Sequence, residues 1–428
     1  MRVAVIGSGV AGLACSRLLR QQEISVTLIE RFSKPGMDAH SVQVDLPGLP
    51  CQQADVPSRM FNQTQWPELY KLYQTLGVQS TTVDTSQSFS MFGGKTFLKL
   101  NRANRPSMRS VLFDDQARHL VTQAEKLQRL GLADLQADHD RDDLVSKTFA
   151  SYLDGRGFTR EFVEMFLYPT LSSTVCTCSY AALDDYPAKT MLQSLKNLTD
   201  ETNLLRAKFG TSDVVQRLLH PQVETRLGTQ VAAVTQNGSQ VCVTLSDGNQ
   251  QSFDHVVLAT TAKAGVQLAK QIEPSEKAVL QSFPYESISV IVHEDASFMP
   301  AKKSDWSTFN MLVCPQRAAA MCTVWLNQFH DWPDSDTNVF QTINVFSTPD
   351  PAKTICTAQL QRPVLNLDSD QQWQALDRMH QQVGRRLWFC GSYAGRGMPL
   401  LESGLNSAAE VSKRIIAQYP TQNASQLH

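Results

Sequence analysis

A chain of 428 residues with 42% hydrophobic content is long enough for two or three domains, each with its own buried core. Its 39 Lys and Arg nearly cancel its 41 Asp and Glu, and a net charge of -2 provides no global field to recruit nucleic acid or an anionic lipid surface. Nine cysteines are scattered without a C-x-x-C pair or zinc-type spacing, which predicts reduced thiols in a cytoplasmic protein and no metal centre.

In chain order, Arg2-Val-Ala-Val-Ile6 reads as a short β-branched strand, Gly7 to Gly12 as a turn, and residues 13–22 as a helix with apolar positions at helical spacing. A second strand over 25–29 ends at Glu30 and completes a βαβ unit. The first residues loosely imitate a lipoprotein signal ending at Cys15, but three glycines make a poor signal helix. No later apolar run reaches the roughly 18 residues of a membrane span. Residues 31–61, rich in Pro, Gly and Gln, predict an irregular crossing. Helix is expected at 66–76 and through most of 105–207, for example 111–130 and 158–166.

The period then changes to that of strands at 223–227, 231–234, 241–245 and 253–258, with further strands at 288–293, 321–326 and 339–345. The chain ends in a strand at 387–390, a glycine loop at 391–397 and a helix at 402–417. Pieces of one nucleotide-binding fold thus lie at the start, middle and end. The expected class is α/β: a discontinuous Rossmann-like domain over 1–62, 208–265 and 384–428, carrying an inserted α+β substrate domain over 63–207 and 266–383.

Gly7-Ser8-Gly9-Val10-Ala11-Gly12 is the dinucleotide fingerprint in its required setting. Gly7 permits the tight turn, Gly9 admits a pyrophosphate to the backbone, and Gly12 lets helix and strand pack closely. The helix that follows points its unpaired N–H groups at the phosphates. Glu30, followed by Arg31, stands where a carboxylate accepts the ribose hydroxyls of an adenosine. The fingerprint leaves FAD and NAD both open. Trp388-Phe-Cys-Gly391-Ser392-Tyr393, followed by Gly404-Leu-Asn-Ser-Ala-Ala-Glu410, looks like the segment of FAD oxidoreductases that passes under the ribityl phosphate. The helix N-terminus near Glu402 is then expected to face the pyrimidine edge of the flavin.

The whole chain resembles the amine-oxidase superfamily of flavoproteins, which includes monoamine oxidases, protoporphyrinogen oxidase and phytoene desaturases. More narrowly, it is similar to bacterial predicted NAD/FAD-binding proteins often encoded beside cyclopropane-fatty-acid synthases. Asp55-Val-Pro-Ser-Arg-Met-Phe61-Asn62, Trp66-Pro-Glu-Leu, Phe166-Leu-Tyr-Pro169 and Met299-Pro-Ala-Lys-Lys-Ser-Asp-Trp306 carry that similarity. The pattern departs after Glu30, where Pro35-Gly36-Met37-Asp38 replaces a Gly-Gly-basic run, and at Gly397-Met-Pro-Leu-Leu-Glu402.

The resemblance implies non-covalent FAD, adenine read by the backbone of Val231, and no bond to Cys390, which precedes the loop. It also implies a lysine holding water against the flavin, for which Lys302 and Lys303 are the candidates. Two adjacent lysines are also an ordinary solvated pair. Tyr393 is the further catalytic candidate, with Tyr168, Tyr186, Trp306 and Trp325 as other possible pocket aromatics and His40 and His293 as possible acid/base groups. The expected activity is oxidation or desaturation of a small, largely hydrophobic substrate (an amine, a cyclic imine precursor or an alkyl chain), with oxygen as one possible electron acceptor. A flavin-dependent isomerase and a non-catalytic FAD-binding partner protein are the alternatives. The pocket is expected beside Tyr393, the 395–401 loop and the strand at 321–325, mainly apolar, with few polar anchors and no cluster of carboxylates or arginines.

Overall fold

The computed structural model describes residues 1–101, 106, 114–138, 143–200 and 203–418. Five parallel strands form one sheet in the order Leu387–Phe389, His255–Leu258, Arg2–Ile6, Ser25–Ile29, Glu224–Arg226. Both faces of a parallel sheet are covered, so its strands alternate between two cores rather than between core and water. Val3, Val5, Val257 and Trp388 face helices Val10–Arg20 and Leu401–Ile416. Ala4, Ile6, Val256, Leu258 and Phe389 face a three-stranded antiparallel layer, Val231–Asn237, Gln240–Leu245 and Gln250–Phe253. Helix Pro67–Thr75 joins the first layer through Leu69 and Tyr73.

A second sheet has seven strands, in the order Thr354–Pro363, Tyr285–His293, Phe340–Ile343, Ala319–Trp325, Phe309–Cys314, Gln87–Met91, Thr96–Leu100. Its apolar face packs on a helical layer made of Asp115–Ala137, Phe149–Gly155, Tyr180–Asp185, Ala188–Asp200 and the run between residues 160 and 175. Of the helix expected over 111–130, residues 111–113 lie outside the described residues. Its start is set by Asp114, whose side chain accepts from Ala117 N at 3.0 Å, a cap that satisfies one orphan donor of the first turn. Thr148 and Ser179 cap their helices in the same way.

The run between 160 and 175 widens twice into π-helical turns, Val163–Leu167 and Leu171–Val175, on either side of Pro169. Proline has no N–H to continue the α ladder, and π turns are one way a helix absorbs the missing bond. Freed carbonyls are taken up locally: Thr170 Oγ1 donates to Phe166 O at 2.8 Å and Thr174 Oγ1 to Thr170 O at 2.6 Å.

Polar side chains cross the seven-stranded sheet in a continuous buried row. Ser88 donates to Asn310, Asn310 to Thr323 O, and the hydroxyls of Thr323 and Thr342 meet at 2.8 Å. His293 closes the row on Thr342 at 2.7 Å and accepts from Asp295 N. Desolvation pushes the His293 imidazole down to about 4, so near neutrality it is an uncharged structural member of the sheet rather than an acid/base group.

Gln341 clamps the loop after residue 54 to this sheet. Its Oε1 accepts from Ser58 N at 2.8 Å and its Nε2 donates to Asp55 O at 2.9 Å, with the residue 0% exposed. Replacing Gln341 with Leu strands the buried carbonyl of Asp55 and the half-buried N–H of Ser58. We expect a loss of about 2–4 kcal/mol of unfolding free energy, measured by urea denaturation; a loss below about 0.5 kcal/mol would show that the loop is held by other means.

Candidate active site

The glycine turn sits where the first strand of the parallel sheet enters helix Val10–Arg20. Gly7 has φ +100°, and a Cβ there would lie 2.6 Å from Ala259 O. At Gly12 a Cβ would fall 1.9 Å from Gly7 O, so helix and turn touch through backbone alone. A Cβ on Gly9 would meet nothing within 4 Å. That open space borders a cavity of about 870 Å³, into which Val10 and Ala11 also face. No side chain caps this helix at Gly9 and its first turn carries no acid. The positive end of the helix is therefore available to an anion.

Glu30 is buried and holds the turn in place. Its Oε2 accepts from Ser8 N at 2.8 Å and Ser8 Oγ at 2.7 Å, and its Oε1 accepts from Phe32 N at 3.0 Å. Each carboxylate oxygen has two lone pairs, so Oε1 keeps one for a ribose hydroxyl. Ser8 Oγ in turn accepts from Gly36 N at 2.6 Å, and Met37 N donates to Ser8 O at 3.1 Å. The altered loop after Glu30 thus still folds over the glycine turn, and a Cβ on Gly36 would lie 2.9 Å from Glu30 Oε2.

Arg59 supplies a cation at this end. It donates to Met37 O and to Thr211 Oγ1, both at 2.8 Å, and borders the cavity with Gly9 and Gly36. Asp55 holds the other side of that contact: both its carboxylate oxygens accept from Thr211 N, at the start of helix Gly210–Leu218. A shared cavity wall is a property of the folded chain, and residue type alone did not single out Arg59.

At the C-terminal segment Gly391 and Ser392 border the same cavity, with Gly391 tied to the following helix by Ser407. Tyr393 also borders it. Its ring packs edge-on against Phe283, with centroids 5.0 Å apart, and its buried hydroxyl has no hydrogen-bond partner. Cys390 is buried in the strand end, and burial pushes its thiol up. Pro399, Leu400, Leu401, Cys322 and Val324 complete this wall, as expected for the pocket.

Other candidates lie elsewhere. Lys302 and Lys303 are exposed, and Lys303 stacks over Trp306 at 5.6 Å; neither borders the cavity, and the lysine that does, Lys196, is paired with Asp200. Arg31 is exposed over the ring of Phe32. Glu402 turns its carboxylate away to accept from Glu68 N and Leu69 N, at 2.9 Å each, capping helix Pro67–Thr75. Val231 is buried at the start of its strand, two residues after Thr229, whose N–H donates to Glu30 O at 2.8 Å. Trp306, Trp325, Tyr168 and Tyr186 do not border the cavity, whereas His40, Trp66 and Tyr285 do. Two arginines, Arg59 and Arg362, stand in its wall.

The family model for flavin-containing amine oxidoreductases matches residues 10–308. The chain belongs to that family. It is an FAD-dependent oxidoreductase, and the glycine turn, the uncapped helix end and the carboxylate of Glu30 fit the adenosine-diphosphate half of FAD. No curated protein matches the chain. Among solved structures it is similar to a cofactor-binding variant of putrescine oxidase, with a TM-score of 0.67, 14% identity, and coverage of 98% of this chain and 99% of that one. Cyclohexylamine oxidase from Brevibacterium oxydans gives 0.65 at 15% identity, covering 97% and 99%. A fatty acid isomerase from P. acnes gives 0.67 at 16%, covering 98% and 99%. At such identities the likeness is one of fold. Among the described residues no helix is long and apolar enough to cross a membrane.

The two glycines separate binding from stability. Gly12→Ala is expected to lower the thermal midpoint of the flavin-free protein, by about 1–3 kcal/mol of overpacking. Gly9→Val should leave that midpoint unchanged and abolish FAD retention on gel filtration. Glu30→Gln places an NH₂ against a backbone N–H and should weaken FAD binding by about 1–3 kcal/mol in a fluorescence titration. Equal FAD retention in Gly9→Val and the wild type would remove the turn as the phosphate site.

Proposed function

We propose that this enzyme oxidises a C–H bond, next to nitrogen or to carbon, in an elongated and largely hydrophobic small molecule, with oxygen as the proposed electron acceptor. One observation carries this reading: the cavity at the glycine turn continues past Gly391 and Tyr393 into the helical layer as a single space. There its wall is formed by Val121, Leu127 and Leu132 on one helix and Leu192, Leu195 and Leu198 on another. Small-molecule sites are typically mostly apolar with few polar anchors, and this wall fits that description. Bound FAD supplies a ring that accepts two electrons and a proton from substrate.

The protein groups then have separable roles in the proposal. Gly9, Val10 and Ala11 would receive the diphosphate with Arg59 as countercharge, Glu30 would take a ribose hydroxyl, and the backbone of Gly391 and Ser392 would hold the ribityl part. The residues of 1–62, 208–265 and 384–428 are read as the cofactor part, and those of 63–207 and 266–383 as the substrate part. Phe162, Phe166 and Leu171, on the run with π turns, help exclude water from the reacting end. Tyr393 is assigned a packing role beside the flavin, since its ring is held by Phe283.

Purified protein is expected to be yellow and to release FAD rather than FMN on acid treatment. Anaerobic mixing with a panel of long-chain amines, cyclic amines and alkyl substrates should bleach the flavin with at least one of them. Leu195→Trp should shorten the longest substrate that does so without changing FAD content. A flavin that no member bleaches, though dithionite does, would favour the non-catalytic partner reading; turnover without an electron acceptor would favour an isomerase.

A further inference from the structure

Among the described residues, the cavity wall carries the charged side chains Arg59, Glu125, Lys196 and Arg362 and the imidazole of His40, besides Tyr285 and the buried Cys322 and Tyr393. Glu125 is exposed at the rim, and Lys196 is paired with Asp200. Arg59 lies at the diphosphate end, joined through Met37 to the glycine turn. Arg362 is different. It stands near the end of strand Thr354–Pro363, where Glu286 and Arg362 face each other across the ladder, but Glu286 is turned to Ser179 N and Ser179 Oγ.

Among the described residues no carboxylate lies within ion-pair distance of Arg362. One nitrogen reaches Cys176 O at 3.4 Å, and its buried Nε has no partner. Of the groups around it, Cys176 and Tyr186 keep their protons because burial pushes both groups up, and Arg59 adds a second positive charge rather than a counterion. Guanidinium does not deprotonate in proteins, so a full positive charge faces this space. A charge taken out of bulk water is costly unless paired, and a partly accessible guanidinium lining a cavity is met by an anion that enters it.

We propose that Arg362 is the anchor for a carboxylate on the substrate, whose apolar chain then lies between helices Asp115–Ala137 and Ala188–Asp200. The proposal deepens the reading of this cavity as the substrate site and rests on it. Arg362 would be a specificity-determining residue: it favours an acid bearing a hydrocarbon chain over a cationic amine of the same length. The planar donor fork of arginine suits a carboxylate in two-point contact, which lysine cannot reproduce.

The test is equilibrium dialysis of the FAD-loaded protein against octanoate, 1-octanol and octylamine. Octanoate should bind about 10- to 100-fold more tightly than octylamine, the range expected for a charge-assisted contact. Arg362→Gln should lose that preference while keeping its FAD, and Arg362→Lys should keep part of it. Octylamine binding as well as octanoate overturns the proposal without need of any variant, even if Arg362→Gln fails to fold. So does an Arg362→Gln protein that binds octanoate normally. An Arg362→Gln protein that sheds FAD while its remaining holo fraction binds octanoate normally assigns the guanidinium to the cofactor and likewise overturns it. If octanol binds but octanoate does not, the Arg362 assignment alone fails; if no chain binds, the substrate-site reading fails with it.

Discussion

Glu30 is the point at which the separate pieces of the nucleotide-binding half meet. Its backbone N–H donates to Arg226 O at 2.9 Å and its carbonyl accepts from Thr229 N, so it ties the second strand to the middle of the chain. Its carboxylate holds Ser8, and through Ser8 the Gly36 loop. Only a buried group with several acceptor positions can serve a turn, a loop and a strand edge at once, because each of those backbone donors would otherwise be left unpaired. The glycine turn that the proposal assigns to the cofactor is therefore shaped by the same contacts that close the fold.

The second half depends on a different device. Its seven-stranded sheet is stiffened by a buried polar row from Ser88 to His293, fully paired and hence able to specify one register. Gln341 carries that rigidity across to the loop bearing Arg59, so the sheet that lines one part of the cavity also positions a cation beside the glycine turn. Opposite it, the π turns around Pro169 set Thr170, Leu171 and Thr174 along the cavity. A regular helix repeats every 3.6 residues, and a widened turn shifts which side chains face inward.

Legibility in the sequence followed how local each signal was. The glycine fingerprint, Glu30, the strand at 387–390 and the glycines after it are short-range patterns with a single backbone solution, and the structure places Gly9, Val10, Ala11, Gly391 and Ser392 on one cavity. Only approximate position along the chain points to Lys302 and Lys303, and a 3₁₀ turn carries them to the surface. Glu402 stands at the expected helix start, yet which neighbour its carboxylate reaches was decided by helix Pro67–Thr75, far away in sequence. Tyr186 was legible as an aromatic and nothing more; its placement beside Arg362 comes from packing of the helical layer on the sheet.

By itself the sequence determined a βαβ unit at its start, a nucleotide-binding fold returning in the middle and at the end, and a flavin as the cofactor the whole pattern implies. Those conclusions rest on backbone constraints that act within a few residues: a turn needing glycine, a helix end needing an anion, a strand needing alternation. Only the tertiary structure decided that the pocket continues into the helical layer, that Arg59 borders it beside Gly9 and Gly36, and that, among the described residues, Arg362 stands in the wall with no carboxylate partner. Arginine reads in a sequence as a solvated surface charge. Whether it meets water, a carboxylate or an empty space depends on what residues hundreds of positions away bring beside it, and no local pattern encodes that.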